Sequence, residues 1–75
     1  MPKHYSSREV LEALHKAGFS DVSQRGSHLK LRRISGARTL TVIVKHPAPS
    51  IPVGTFRSIL RQAELTLDDF ERLLH

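Results

Sequence analysis

Two alternating runs set the narrowest limit on what this chain can become: His28-Leu29-Lys30-Leu31-Arg32-Arg33 and Thr39-Leu40-Thr41-Val42-Ile43-Val44-Lys45. Successive side chains of an extended backbone point to opposite faces. Leu29 and Leu31 therefore share one face of the first run, and His28, Lys30 and Arg32 share the other. The second run is rich in β-branched residues and gathers Leu40, Val42 and Val44 on an inner face. Ser35-Gly36-Ala37-Arg38 reads as the turn between them. Asp21-Val22-Ser23-Gln24 is a shorter, weaker strand candidate, joined to the His28 run by a turn at Gly26-Ser27. Three such runs in succession predict an antiparallel meander with one covered face and one open face.

The flanking segments have helical spacing. Ser6-Ser7-Arg8-Glu9 has the form of a capping box, and Val10, Leu11, Leu14 and Ala17 recur on one helical face, which predicts a helix over roughly 7–17. Gly18 ends it, because glycine takes a left-handed conformation without a Cβ penalty, and Phe19 is expected to fold back onto the core. His46-Pro47-Ala48-Pro49-Ser50-Ile51-Pro52 holds three of the four prolines and is expected to be an extended loop. Val53-Gly54-Thr55 opens a second helix, with Thr55 the expected N-cap and Phe56, Ile59, Leu60 and Ala63 on its apolar face. Thr66 caps a short final helix, with Asp68 and Asp69 in its first turn and Leu67, Phe70, Leu73 and Leu74 apolar. The expected order is α-β-β-β-α with a short C-terminal helix. This is an α+β two-layer sandwich of one domain, residues 1–75, whose open sheet face carries His28, Lys30 and Arg32.

Stability has to come from apolar packing, because the chain has no cysteine for a disulfide or a thiolate metal site. No apolar run approaches the ~20 residues of a membrane span. Met1-Pro2-Lys3-His4-Tyr5 lacks the apolar core of a signal peptide, so a cytoplasmic location is expected. Twelve Lys and Arg against seven Asp and Glu give a net charge of +5, and between Arg25 and Lys45 there are cations but no acid. Such a balance suits a polyanion or an acidic protein as partner.

RNA carries its own nucleophile, the ribose 2′-OH, so a small ribonuclease needs one imidazole, a few cations and a groove. His28 with Lys30 and Arg32, and with Arg25 across the turn, meets that minimum; the plainer reading is a surface histidine at a strand start. Gly26 leaves room for close backbone approach to a phosphate. His46 is a candidate second acid or base, or else a loop histidine before proline. Arg57 and Arg61 either contact phosphates or line a solvated helix face. The five histidines include no His-x-x-x-His pair, so no metal site is expected.

The chain resembles the HicA toxins of HicA/HicB toxin–antitoxin pairs. The resemblance rests on Gly18-Phe19, on Gln24-Arg25-Gly26-Ser27-His28 (the family's Gln-x-Gly-Ser-His), on Val44-Lys45-His46, and on Gly54-Thr55-Phe56-Arg57-Ser58-Ile59-Leu60-Arg61-Gln62-Ala63. It implies a double-stranded-RNA-binding-domain-like fold and metal-independent mRNA cleavage without a cofactor. It also implies that His28 is the catalytic residue and that a HicB-type antitoxin covers the site; the charge and turn pattern adds Arg25, Gly26, Ser27, Lys30 and Arg32 as the residues expected at the RNA. Ser23 stands where many members carry arginine, Pro47 to Pro52 replace a more charged loop, and Glu64 replaces a usual glycine. Two other classes fit the same residues: a non-catalytic RNA-binding module, and an inactive toxin kept for protein interaction.

Overall fold

A computed structural model describes residues 4–75; Met1, Pro2 and Lys3, on which part of the N-terminal reading rests, lie outside the described residues. The elements run α1 (Ser7–Lys16), β1 (Ser20–Arg25), β2 (His28–Ser35), β3 (Arg38–Lys45), α2 (Val53–Ala63) and α3 (Leu67–Leu74). The sheet is an antiparallel meander in the order β1-β2-β3, and the helices cover one of its faces. This is an α+β fold of the double-stranded-RNA-binding-domain type.

Local chemistry accounts for most of the boundaries. Ser6 and Glu9 form the expected capping box: Ser6 Oγ accepts the Glu9 amide at 3.2 Å, and Glu9 Oε1 accepts the Ser6 amide at 3.0 Å. Gly18 follows α1 with φ 99°, and Phe19 turns into the core. Thr66 and Asp69 form a second capping box at the start of α3.

The second helix begins earlier than its sequence suggests. It starts at Val53 behind Pro52, and Thr55 is an exposed residue within the first turn, not the N-cap. Proline has no N–H to satisfy, and at φ −57° Pro52 already has the torsion a helix start requires. Its carbonyl accepts the Phe56 amide at 2.9 Å. At the other end Glu64 is the C-cap in a left-handed conformation, φ 56°.

Leu29 and Leu31 of β2 and Leu40, Val42 and Val44 of β3 are buried beneath Val10 and Leu14 of α1, Ile59 and Leu60 of α2 and Phe70 of α3. Tyr5, Phe56 and Phe70 form an aromatic cluster with ring centroids 4.9–5.1 Å apart, joining the N-terminal segment to α2 and α3. Leu67 departs from its expected place: it is half exposed, because α3 directs Phe70 inward and holds its first turn at the surface. The proline-containing segment after β3 is an irregular loop, tied to the N-terminal segment by Ser7 N–H to Ala48 O and Ile51 N–H to Tyr5 O, both 2.8 Å.

Candidate functional site on the open sheet face

The strand register decides which side chains share the open face. Partners in an antiparallel ladder point to the same side of the sheet. Arg25 of β1 is paired with His28 of β2, and His28 with Lys45 of β3. An exposed imidazole thus stands in one row between two exposed cations. The next row is Ser23, Lys30 and Ile43, and the one after it Ser20, Arg32 and Thr41. Lys30 and Arg32 therefore continue a positive track away from His28 along β2, with Ile43 as an apolar neighbour 40% exposed.

The hairpin that presents His28 is tight. Only Gly26 and Ser27 separate the paired residues Arg25 and His28, and Gly26 has φ 57°. A two-residue turn with positive φ at its first position fits the right-handed twist of the flanking strands. A Cβ at Gly26 would meet no atom within 4 Å, so the backbone torsion, not space, demands glycine there. Gln24 braces the turn from behind. Its Nε2 donates to Gly26 O at 3.2 Å and to His46 O at 3.3 Å.

The remaining candidates lie elsewhere. His46 follows the Lys45 that faces His28, and its ring goes to the helix side, where Nδ1 lies 2.8 Å from Ser7 Oγ. Arg57 and Arg61 are exposed on the side of α2 opposite its buried Phe56, Ile59, Leu60 and Ala63. The helix layer therefore separates both arginines from His28. Ser27 is half-buried, and its carbonyl accepts the His46 amide at 2.7 Å. Lys45 is the residue that sequence reasoning missed. In the sequence it is one cation of the acid-free stretch and the last residue of a strand, and the pairing of β2 with β3 is what brings it to His28.

Among the described residues, no group of three or more His, Cys, Asp or Glu side chains is placed to share a metal ion, and no helix is long and apolar enough to cross a membrane.

A meander under three helices, with an imidazole and a cationic track on its bare face, defines a small basic α+β protein. Residues 7–65 match the family model for the HicA toxin of bacterial toxin–antitoxin systems, and the chain belongs to this family. It is thus a toxin of a toxin–antitoxin system, with an antitoxin as partner. The match ends before α3, whose Phe70 nevertheless completes the core. A comparison with curated proteins produced no match.

Proposed function

We propose that this toxin is a metal-independent endoribonuclease that cleaves mRNA, with His28 as the general acid or base. The observation that carries the reading is the row Arg25–His28–Lys45 on the open face. In the reaction the 2′-oxygen of RNA bonds to the adjacent phosphorus and the P–O5′ bond breaks. The 2′-OH loses a proton and the departing O5′ gains one. Neutral His28 takes the first proton while water supplies the second, or protonated His28 supplies the second while water takes the first. Arg25 and Lys45, on either side of the imidazole, stabilise the negative charge that grows on the phosphorane oxygens. Lys30 and Arg32 bind the neighbouring phosphates, and the Gly26-Ser27 turn lets the backbone approach them. Arg57 and Arg61, behind the helix layer, contribute general attraction to a polyanion rather than contacts at the cleaved bond.

Such a toxin acts in the cytoplasm, where its mRNA substrate is. An acidic HicB-type antitoxin seated on the same open face would silence it by competing for the cations RNA needs.

The test uses the purified protein and its His28→Ala variant with end-labelled RNA in excess EDTA. Cleavage by the wild type alone supports the reading. Equal absence of cleavage with retained RNA binding would make the chain a non-catalytic RNA-binding module. Loss of both with antitoxin binding intact would make it an inactive toxin kept for interaction, and cleavage by both proteins would show that His28 is the wrong residue.

A further inference from the structure

A hairpin tip at the margin of a sheet is ordinarily a mobile place, and all six residues of β1, one arm of this hairpin, are exposed. The tip is nevertheless tied to the start of α1. Ser7, 2% exposed, gives its backbone N–H to Ala48 O and accepts the Ala48 N–H on Oγ, both at 2.8 Å. The same hydroxyl lies 2.8 Å from His46 Nδ1. His46 in turn gives its backbone N–H to Ser27 O at 2.7 Å, and its own carbonyl accepts from Gln24. Ser27 is the residue immediately before His28.

A serine buried in the first turn of a helix gains nothing from its hydroxyl unless the hydroxyl is bonded. Here it accepts one bond from the loop backbone and shares a second with the imidazole. The His46 ring lies along α1, in a shallow groove with Arg8, Leu11, Glu12, His15 and Lys16, away from the open face. The ring thus bonds on the helix side while His28 stands on the open face, and the His46 backbone holds the carbonyl next to His28.

We infer that Ser7 and His46 are positioning residues for His28: the Ser7 hydroxyl fixes the His46 ring, and the His46 amide fixes the turn that carries the catalytic imidazole. This rests on the reading of His28 as the catalytic group. It removes His46 from the acid–base chemistry.

Two amides separate positioning from proton transfer. Asparagine at position 46 can put a polar atom where Nδ1 lies and bond to Ser7, whereas glutamine reaches instead to the place of Nε2. Neither titrates. With His46→Asn, kcat for RNA cleavage is expected to stay within about threefold of wild type and the pH profile to keep its wild-type shape; His46→Gln and Ser7→Ala are expected to lose about ten- to a hundredfold in kcat with KM little changed. An active glutamine variant beside an inactive asparagine variant, or a changed shape of the pH profile in His46→Asn, would overturn the inference in favour of a proton-transfer role. Full activity of Ser7→Ala would overturn it outright.

Amide hydrogen exchange supplies a readout independent of cleavage. In Ser7→Ala the His46 amide is expected to exchange about tenfold faster or more, with the Leu31 and Val42 amides unchanged. Cleavage by the wild type with unchanged exchange in Ser7→Ala would overturn the positioning role alone. A wild type inert towards RNA would overturn the ribonuclease reading and the positioning role with it.

Discussion

His28 and Lys45 face each other across the β2–β3 ladder as a pair without mutual backbone hydrogen bonds. The bond from His46 N–H to Ser27 O places a hydrogen-bonded pair one step further along, and the two kinds alternate. Side chains of such pairs stand closest, with Cβ atoms about 4.5–5.5 Å apart. A lysine held there adds a second fixed charge beside the imidazole, opposite Arg25.

Replacing Lys45 by alanine is therefore expected to lower kcat/KM for RNA cleavage by about ten- to a hundredfold, some 1.4–2.7 kcal/mol of transition-state stabilisation. Arg57→Ala and Arg61→Ala should each cost less than about threefold, since the helix layer lies between them and His28. Steady-state rates on one RNA decide it. Equal losses at positions 45 and 57 would mean that the RNA wraps around the helices.

Salt should separate the cations that touch phosphate from those that do not. For single-stranded RNA the slope of log affinity against log salt is about −0.7 for each phosphate neutralised. Lys30→Ala and Arg32→Ala should each make the slope shallower by about that amount, measured by fluorescence anisotropy with the His28→Ala protein so that the RNA stays intact. Slopes equal to that of the parent would remove these residues from the interface.

Glu64 occupies a left-handed position at the end of α2, and its carboxylate pairs with Arg38 of β3 through both terminal guanidinium nitrogens. The backbone strain of a non-glycine residue there is about 1–2 kcal/mol. The exposed ion pair returns about 0–1 kcal/mol. Glu64→Gly should consequently be neutral or stabilising by up to about 1 kcal/mol in urea denaturation. A loss of 2 kcal/mol or more would show that the Arg38 pair holds α2 to the sheet more firmly than an exposed pair can.

Tyr5 is buried against Phe56 and Phe70, and its hydroxyl donates to Glu71 Oε2 at 2.7 Å. That hydrogen bond, then burial, raises the phenol above its ordinary value of 10.0. Folding thus favours the protonated ring. Its contribution to stability is complete below the unfolded value and is lost as pH rises through the higher folded one. Tyr5→Phe should cost about 1–2 kcal/mol at neutral pH and reduce the loss of stability between pH 9 and pH 12. Parallel stability curves for the two proteins over that alkaline range would refute the assignment.

Much of the architecture is legible in the sequence. Alternation in 28–33 and 39–45 named the central strand and one edge strand with their buried faces, and the capping box at Ser6 and the N-cap at Thr66 marked two helix starts, because these signals are local and each reports one choice between water and core. Thr55 misled for the same reason: a good capping residue lay three positions beyond a proline that was already set for the helix, and local preference could not rank them. The Gln24 to His28 stretch located the imidazole, and the family match bore out the kind of protein it belongs to.

The sequence by itself determined the α-β-β-β-α order, the basic open face and His28 upon it, since period and charge are properties of neighbouring residues. Only the tertiary structure decided the company His28 keeps. Strand register brought Lys45 to it from seventeen positions along the chain, the helix layer put Arg57 and Arg61 behind it, and the buried Ser7 hydroxyl drew His46 to the other side. Each of these depends on which segments pack together, and no spacing along the chain encodes that.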